Sequence, residues 1–353
     1  MMSETERYGQ RLADSQVMEE FIRGLNNGSY KWHQFYDIVD PSIFPWFEIQ
    51  NKFNFSKRPK KMPLLFFDIE TDNDENVFPD TNIAKWPVNS VSLFNNITRT
   101  LYLFFIPPQT AQDKTLSQWK SAIEKLYFET LEEHSEYKKI GEISIECFMY
   151  NNDKQLLTDF FKTVHKQQSV SLIGYNSSIF DIPYIFNRLK NISKDWKSIA
   201  SIYKQVSTFG NQFEIPDLSF IDLLHLYKPQ SAGGMAFGKA RLSYKLDFIA
   251  NVELGIGKLE YDGSLYRLYR DDPVRFFVYN IFDSILLELL NNKLFHVDAL
   301  YGLAQFSNSP MSKALIGRSL LYQFSKVKEY WDKDKAIISK LYNSELMVAN
   351  ASG

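Results

Sequence analysis

A short run of large apolar residues that breaks into alternating carboxylates is the feature that most constrains the fold. The run Leu64-Leu65-Phe66-Phe67 is continuous and apolar, which is typical of a strand buried on both faces of a sheet. Asp68-Ile69-Glu70 follows directly, and because the side chains of a strand alternate between faces, Asp68 and Glu70 point the same way. The sequence therefore predicts a central strand that ends in two carboxylates on one face.

Two carboxylates at the end of a buried strand cost free energy unless a positive charge compensates them. Ligands that are all oxygen favour Mg²⁺ or Mn²⁺, so the pair indicates a metal site. The alternative is a strand that simply leaves the core into the acidic loop Asp72-Asn73-Asp74-Glu75. A calcium loop of the EF-hand type starting at Asp72 is excluded, because the positions that need Gly and Glu hold Val77 and Ile83.

The chain beyond this strand alternates between strand and helix patterns. Strands are expected near residues 88–94, 100–106, 143–150 and 170–173, and helices near 116–137, 152–167, 182–190 and 272–293. Such alternation predicts an α/β layer structure with a mixed sheet, and the chain beyond Leu242 is expected to be mostly helical.

Two further aspartates stand at positions that could join the first pair. Asp181 is expected at the start of a helix with Pro183 in its first turn, where helix capping is the alternative role. Tyr279 and Asp283 are four residues apart and so share one helical face. The alternative there is a core tyrosine above an exposed aspartate.

In this order, Asp68-Ile69-Glu70, the Asp181 segment and Tyr279-x-x-x-Asp283 resemble the three exonuclease motifs of the DEDD superfamily, specifically the 3′→5′ proofreading domain of family B DNA polymerases. The tyrosine variant is indicated, since the histidine variant would carry His at position 278, which holds Val. Residues 222–228, 242–246, 261–263 and 303–321 are also similar to polymerases of T-even-type phages. The resemblance implies an α/β, ribonuclease H-like mixed sheet flanked by helices.

The resemblance also implies a domain organisation. Residues 1–61 look like a shortened N-terminal domain of the polymerase, residues 62–297 like the exonuclease domain, and residues 298–353 like a helical extension leading towards the polymerase palm. The basic run at residues 57–61 is interpreted as a solvated linker. The family's polymerase motifs, Asp-x-x-Ser-Leu-Tyr-Pro and Asp-Thr-Asp, do not occur in the sequence. The chain is thus expected to be a fragment, or one part of a split polymerase, that does not polymerise DNA alone.

The family's chemistry implies two divalent ions, Mg²⁺ or Mn²⁺. By resemblance, Asp68 bridges both ions, Glu70 and Asp283 complete the first site, and Asp181 acts on the second directly or through water. Tyr279 and Glu70 would orient the attacking water, and the product would be a 5′-mononucleotide.

The implied partner is the single-stranded 3′ end of a DNA primer-template. Tyr175, Asn176 and Phe180 are candidate substrate residues, since aromatic rings stack on bases. The alternative for Tyr175 and Phe180 is that both are core residues. Residues 206–213 resemble the strand-separating hairpin of the family, with a turn at Gly210-Asn211. A polymerase palm-fingers-thumb part, on the same or a second chain, and a sliding clamp are the other expected partners.

Composition excludes several other classes of protein. The formal net charge of −2 argues against a protein that coats DNA, and the single cysteine excludes a disulfide framework or a cysteine-rich zinc module. With no apolar run near about 20 residues and no signal-peptide pattern, no membrane partner is expected and the location is expected to be cytoplasmic, in a bacterial host if the protein is from a phage. The segment Gly233–Lys239 fits G-x-x-x-x-G-K, but Ala240 replaces the Ser or Thr of a phosphate-binding loop.

Two alternatives to a DNA exonuclease stay open from the sequence. One is a catalytically silent, exonuclease-like scaffold for a polymerase, which the presence of all four carboxylates and the tyrosine disfavours. The other is a stand-alone exonuclease that acts on RNA or DNA.

Overall fold

The computed structural model describes residues 63–314 except 76, 168–170, 217, 229–240, 308 and 310. The predicted N-terminal segment 1–61 with its basic run, the segment 233–239 and the extension from residue 315 onward lie outside the described residues. The division of the chain into these domains therefore stays a prediction.

The described strands and helices agree with the expected ones to within a few residues at most ends. The strands are β1 Leu64–Thr71, β2 Val88–Asn95, β3 Thr100–Phe105, β4 Ser144–Met149, β5 Ser171–Gly174, β6 Ser207–Phe209, β7 Gln212–Glu214 and β8 Ser219–Asp222. The helices are α1 Leu116–Glu133, α2 Asp153–Lys166, α3 Asp181–Ile192, α4 Trp196–Ala200, α5 Leu223–Tyr227, α6 Leu246–Leu254, α7 Leu265–Asp271, α8 Pro273–Leu294 and α9 His296–Ser307. The helix expected over residues 116–137 ends at Glu133 and is followed by a 3₁₀ segment, Ser135–Ile140, because His134 leaves the helical conformation.

Six strands form one mixed sheet in the order β4-β3-β2-β1-β5-β8. Strand β1 pairs antiparallel with β2 and parallel with β5, so it lies in the interior of the sheet. The hairpin β2–β3 lies beside β1. This mixed sheet with helices around it confirms the ribonuclease H-like α/β fold.

The alternation of side chains along β1 divides the core into two layers. Leu64 and Phe66 belong to the layer that contains α1 and α8, whereas Leu65, Phe67 and Ile69 belong to the layer that contains α2 and α3. Asp68 and Glu70 continue the even-numbered row and therefore face α8. The position of the two acidic side chains follows directly from this packing.

Helix α8 is the central helix of the fold. It begins after Asp272, whose side chain accepts a hydrogen bond from the Arg275 amide, and Pro273 occupies the first turn. Residues 276–291 of this helix are all buried. A helix surrounded in this way belongs in the interior, and α8 contacts both β1 and β2.

Two local features shape the ends of the neighbouring strands. A Cβ atom added to Gly174, at the end of β5, would lie 2.5 Å from the Ser177 Cβ and 3.0 Å from the Phe67 ring, so this position requires glycine. Strands β6 and β7 form the expected hairpin, and Gly210 at its turn has a φ of +58°. Across the described helices, none combines the length and apolarity that crossing a bilayer needs.

Candidate active site

Three of the predicted carboxylates lie together where β1 meets α8. Asp68, Glu70 and Asp283 each place one carboxylate oxygen within 4.8 Å of the others. Asp68 and Glu70 come from one face of β1, and Asp283 from the buried middle of α8. The alternative of an exposed aspartate at position 283 is wrong, because its side chain is only 1 % exposed.

Asp181, the fourth carboxylate, is the first residue of α3 and is buried. Helix α3 begins after Phe180, whose side chain makes no capping bond, so the alternative role of Asp181 as the capping residue is wrong. Its carboxylate accepts hydrogen bonds from its own backbone amide and from the amide of Ile69. The Ile69 bond places Asp181 beside β1, between the two acidic residues of the strand.

Asp222 at the end of β8 holds the loop that leads to Asp181. Its two carboxylate oxygens accept hydrogen bonds from the amides of Asn176, at 2.7 Å, and Ser178, at 3.0 Å. The Ser178 hydroxyl donates a third, at 2.7 Å. Asn176 adopts a φ of +58°, a conformation that asparagine tolerates better than most residues. The loop is thus fixed by its neighbouring strand.

Burial raises the pKa of all four carboxyl groups, and the charges of neighbouring carboxylates add to it. Burial is the largest cause for Asp68, and the charges of Asp283, Asp181 and Glu70 add to it, so that its pKa lies well above the usual range. Burial also raises the pKa of Glu70 to about 8 and that of Asp181 to about 7. Carboxylates this close cannot all ionise unless positive charge is supplied.

Lys258 supplies one positive charge to the cluster. Its Nζ lies 2.6 Å from Oδ2 of Asp283 and donates a hydrogen bond of 2.8 Å to the Tyr279 hydroxyl. Burial lowers the pKa of this lysine, but the neighbouring Asp283, Tyr279 and Asp68 outweigh burial and raise it well above its usual value. One ammonium group cannot balance four carboxylates, so the site has room for further positive charge.

The Tyr279 hydroxyl lies in the same cluster, as its spacing from Asp283 predicted. Burial, followed by the charge of Asp283, raises the pKa of Tyr279, so its hydroxyl stays protonated. The ring of Tyr261 meets that of Tyr279 edge-on, with 5.3 Å between centroids. The tyrosine therefore presents a protonated, fixed hydroxyl beside the carboxylates.

Asn280 connects Asp68 to the rest of the sheet. Its Nδ2 donates a hydrogen bond of 2.7 Å to Oδ2 of Asp68, and its Oδ1 accepts one of 2.8 Å from the Ser90 hydroxyl. The Ser92 hydroxyl donates to the backbone carbonyl of Asn280 at 2.7 Å. This chain of bonds from β2 through α8 to β1 determines the orientation of the Asp68 carboxylate.

The donor set fits a divalent cation. Oδ1 of Asp283 is buried and, among the described residues, lacks a hydrogen-bond partner of good geometry, although the nearby Tyr279 hydroxyl lowers the pKa of this carboxyl group. An orphaned buried carboxylate oxygen is costly, and a hard cation with oxygen ligands would satisfy it. Asp68, Glu70 and Asp283 are the residues that would hold such a cation, with Asp181 beside them.

A cavity of about 400 Å³ opens next to Glu70. Its walls include Thr71 at the end of β1, Phe78 in the segment that follows, Phe180 before α3, and Tyr266 on α7. The Phe78 side chain is 81 % exposed, and its ring lies 5.4 Å from that of Phe180. Exposed aromatic rings beside the acidic cluster form a surface on which a base can stack.

The three predicted substrate residues have different environments in the structure. Phe180 lines the cavity next to Glu70, as described above. The side chain of Tyr175 packs partly buried against the core, and its hydroxyl donates to the Tyr244 carbonyl at 2.5 Å. Asn176 is exposed, and its backbone amide donates a hydrogen bond to Asp222. The packing of Tyr175 thus favours a structural role over the predicted one.

The sequence reasoning missed Lys258, Asn280 and Phe78. Asn280 directly follows Tyr279, so its place beside a motif residue was the available signal. Phe78 ends the acidic segment after β1, where a large apolar residue before Pro79 was a weak signal. Lys258 stands in the loop after α6, where no local pattern separates it from other surface lysines.

Comparison with known proteins relates this geometry to a family. Residues 46–249 match the family described as DNA polymerase family B, exonuclease domain. The match includes Asp68, Glu70 and Asp181, whereas Tyr279 and Asp283 lie beyond its end. Those two residues are therefore linked to the other three by the tertiary structure.

Individual relatives are polymerases from viruses and an archaeon. The DNA-directed DNA polymerase of Escherichia phage RB69 is 28 % identical over 234 residues, which cover 63 % of this chain and 24 % of that protein. The DNA-directed DNA polymerase of Enterobacteria phage T4 is 24 % identical over 258 residues, or 69 % and 27 % of the two chains. DNA polymerase 1 of Aeropyrum pernix is 25 % identical over 300 residues, or 81 % and 27 %. The chain spans about a quarter of the length of these relatives.

Proposed function

Because the chain belongs to the family of DNA polymerase family B exonuclease domains, we propose that it is a metal-dependent 3′→5′ exonuclease that proofreads DNA and releases 5′-mononucleotides. The observation that carries the proposal is the group of Asp68, Glu70 and Asp283, whose carboxylate oxygens lie within 4.8 Å of one another beside Asp181. A cluster of carboxylates with raised pKa values at the edge of a cavity is suited to binding cations and a phosphodiester.

Two divalent cations, Mg²⁺ or Mn²⁺, would bind at these carboxylates and would polarise the scissile phosphate while stabilising the negative charge of the leaving 3′ oxygen. The residues that would hold them are Asp68, Glu70, Asp283 and Asp181, and by resemblance to the family Asp68 would serve both cations. Glu70 and Asp283 would complete one site, and Asp181 the other.

The chain's own polar groups would orient the attacking water. The Glu70 carboxylate can accept a hydrogen bond from a water, and the Tyr279 hydroxyl, which accepts one from Lys258, still has its own proton to donate. Lys258 balances the charge of Asp283 and holds the tyrosine hydroxyl in place. Positioning of the nucleophile by fixed groups is a large part of catalysis in phosphodiester cleavage.

The substrate end would enter the cavity beside Glu70. Phe78 and Phe180 form its aromatic wall, where the terminal bases of a single strand can stack. A paired end would be too wide for stacking between side chains, so we propose that the 3′ end is separated from its complement first. The hairpin β6–β7 is the candidate for that separation, as its resemblance to the family's hairpin implies.

We propose further that the exonuclease works beside a polymerase part on the same or a second chain, because the relatives that it matches are polymerases of which the matched segment covers only about a quarter. A sliding clamp and a cytoplasmic location in a bacterial host follow from the phage relatives as proposals of the same kind. The competing functions are a silent scaffold and an RNA exonuclease.

The test is digestion of a 5′-labelled single-stranded DNA oligonucleotide with Mg²⁺ by the wild-type chain and by a double variant, Asp68→Ala with Glu70→Ala. The double variant is expected to lose activity by at least about a thousandfold, because the site would lose two of its cation ligands. The matched control removes two exposed carboxylates from α1, Glu124→Ala with Glu129→Ala, and is expected to digest DNA like the wild type.

Three results would contradict the proposal. Equal digestion by the wild type and the Asp68 and Glu70 variant would show that another site, or a contaminant, cleaves the DNA. A wild-type chain that binds DNA without cleaving it would favour the scaffold. Faster digestion of an RNA oligonucleotide of the same sequence would favour an RNA exonuclease.

A further inference from the structure

Four exposed lysines lie near the end of α3, on α4 and in the loops that follow these helices. They are Lys190, Lys194, Lys197 and Lys204, here called the lysine cluster. Among the described residues no carboxylate lies within ion-pair distance of any of them, and the bond described for Lys190 is to Oδ1 of Asn187 at 3.3 Å. The segment between residues 190 and 204 contains one acidic residue, Asp195. The cluster is thus a local concentration of unbalanced positive charge on a chain whose formal net charge is −2.

Three lysines on α1 and α2 are arranged differently. Lys120 lies 3.7 Å from Glu124 and Lys125 lies 3.8 Å from Glu129, both on α1, and Lys162 lies 2.9 Å from Asp159 on α2. Their charges are locally balanced. Unbalanced like charges repel one another, so a short segment that carries four of them favours an interaction with a polyanion.

Aromatic rings are interleaved with these lysines. Nζ of Lys190 lies 4.4 Å from the ring centroid of Phe213 and 5.3 Å from that of Trp196, and Nζ of Lys197 lies 5.6 Å from that of Trp196. Tyr203 next to Lys204 is 64 % exposed. Burial, followed by the charge of Lys197, lowers the pKa of Lys190, which shows that the two ammonium groups are close together. Of these rings Tyr203 is exposed, Trp196 is half-buried and Phe213 is buried. Cations beside an exposed aromatic ring are a combination that tracks nucleic-acid strands.

The cluster is connected to the acidic site by one rigid element. Asp181 is the first residue of α3, and Lys190 follows nine residues later on the same helix. At 1.5 Å per residue, Lys190 lies about 14 Å along the helix axis from Asp181. The hairpin β6–β7 is attached to the same helix, since Nδ2 of Asn187 donates to Oδ1 of Asn211 at 2.9 Å and the Phe213 ring stacks on Phe186.

We propose that the lysine cluster binds the sugar-phosphate backbone of the DNA whose 3′ end occupies the acidic site. This rests on the proposed exonuclease function and adds a second contact surface to it. Phosphates along one strand of a duplex are spaced by about 3.4 Å of helix rise, and those of an extended single strand by more, so a separation of about 14 Å corresponds to at most roughly four nucleotides. Contacts of this kind carry no sequence preference, and they hold the strand in register for the reacting end.

The experiment measures binding and cleavage separately on the full chain. Binding of a fluorescently labelled single-stranded oligonucleotide is followed by anisotropy in EDTA, where no cation-dependent cleavage occurs. The test variant is Lys190→Gln, Lys194→Gln and Lys197→Gln together. The matched control is Lys120→Gln, Lys125→Gln and Lys162→Gln, which removes the same total charge from ion-paired positions.

At low salt, the affinity of the test variant for the oligonucleotide is expected to be lower by about tenfold or more. The slope of the logarithm of the binding constant against the logarithm of the salt concentration is expected to fall by about 2, because each of the three lost phosphate contacts contributes roughly 0.7 on a single strand. The control variant is expected to bind like the wild type. In cleavage assays, KM for a long oligonucleotide is expected to rise for the test variant, and the defect to shrink on a trinucleotide, which cannot reach the cluster.

Equal affinity and equal salt slope for the test and control variants would overturn the proposal, and binding of the cluster to an acidic protein surface would then be the alternative. If the proposed exonuclease function is wrong, the binding and cleavage assays give a different pair of results. A wild-type chain that does not cleave DNA but loses affinity when the cluster is neutralised would overturn the exonuclease and support the backbone contact. Thermal unfolding of both triple variants shows whether either one is misfolded.

Discussion

Nδ2 of Asn280 on α8 donates a hydrogen bond of 2.7 Å to Oδ2 of Asp68 on β1, and so joins two residues that are 212 positions apart in the chain. Asn280 is fully buried, and the Oδ1 atom of its side chain accepts a hydrogen bond from the Ser90 hydroxyl. The bond leaves the other oxygen of Asp68 available to a cation. It therefore connects the packing of the core to the geometry of the acidic site.

Asn280→Ala is expected to weaken both the fold and the reaction. The buried Ser90 hydroxyl would lose its acceptor and Asp68 its donor, which together cost about 1–3 kcal/mol of unfolding free energy. Denaturant unfolding in EDTA measures that loss, and digestion with Mg²⁺ measures the reaction. Asn251→Ala, at an exposed asparagine, is the control and is expected to change both values little. Unchanged digestion by Asn280→Ala would show that Asp68 keeps its orientation without this bond.

Lys258→Gln is expected to lower kcat by about a hundredfold, because one charged donor near the reacting groups is lost. The substitution removes the positive charge beside Asp283 and the hydrogen bond to Tyr279. Single-turnover digestion at saturating DNA measures the rate. Lys245→Gln, at an exposed lysine just before α6, is the control. A variant with the wild-type rate but weaker DNA binding would instead assign Lys258 to substrate binding.

Phe78→Ala is expected to weaken binding of a single-stranded 3′ end by about 1–3 kcal/mol, which is roughly 5- to 150-fold, because one stacked base loses its partner. The side chain is 81 % exposed, so stability should not change. Phe128→Ala removes another exposed phenylalanine, on α1, and is expected to leave affinity unaltered. Equal affinities for both variants would exclude Phe78 from the substrate surface.

Arg270→Gln is expected to raise KM several-fold with a smaller effect on kcat. Nη2 of Arg270 donates a hydrogen bond of 2.7 Å to Oδ1 of Asp72, which holds the segment carrying Phe78 against α7. Arg270 and Asp72 are both partly exposed, so the coupling free energy between Arg270→Gln and Asp72→Asn in a double-variant cycle should be about 0.5–1 kcal/mol. Arg275→Gln is the control, since Arg275 donates to the Glu260 carbonyl instead. A cycle without coupling would show that the segment is held by other contacts.

The stabilising effect of Mg²⁺ is expected to grow with pH. Glu70 and Asp181 have pKa values raised to about 8 and about 7 in the folded chain, above their values of 4.5 and 3.8 in the unfolded chain. The folded, cation-free protein therefore holds protons that the unfolded chain has released, and it loses stability as pH rises from about 4 to about 8. Cations bind the deprotonated carboxylates and offset this loss.

The measurement is the difference in Tm between Mg²⁺ and EDTA, which should be larger near pH 8 than near pH 6. Asp68→Asn with Glu70→Gln removes two of the charges and should flatten the dependence. A difference that stays constant across this range in the wild type would show that the acidic cluster does not bind the cation.

Much of the site was predictable from local patterns. The alternation along β1 placed Asp68 and Glu70 on one face, and the helical spacing placed Tyr279 above Asp283. The N-terminal cap of α2 also depends on neighbouring residues, because the Asn152 side chain accepts a hydrogen bond from the Gln155 amide. Each of these relations involves residues within four positions of one another, where backbone geometry alone sets the direction of a side chain.

The sequence by itself determined which segments form the strand and the helix and which acidic residues they carry, because the patterns of burial and of backbone repeat depend on a few neighbouring positions. Only the tertiary structure decided that α8 covers the face of β1 that carries Asp68 and Glu70, that Asp181 bonds to Ile69 and does not cap its helix, and that Lys258 reaches Asp283. These contacts join distant parts of the chain, and they form because burying the apolar surface of α8 against the sheet brings the polar groups at its middle to one place.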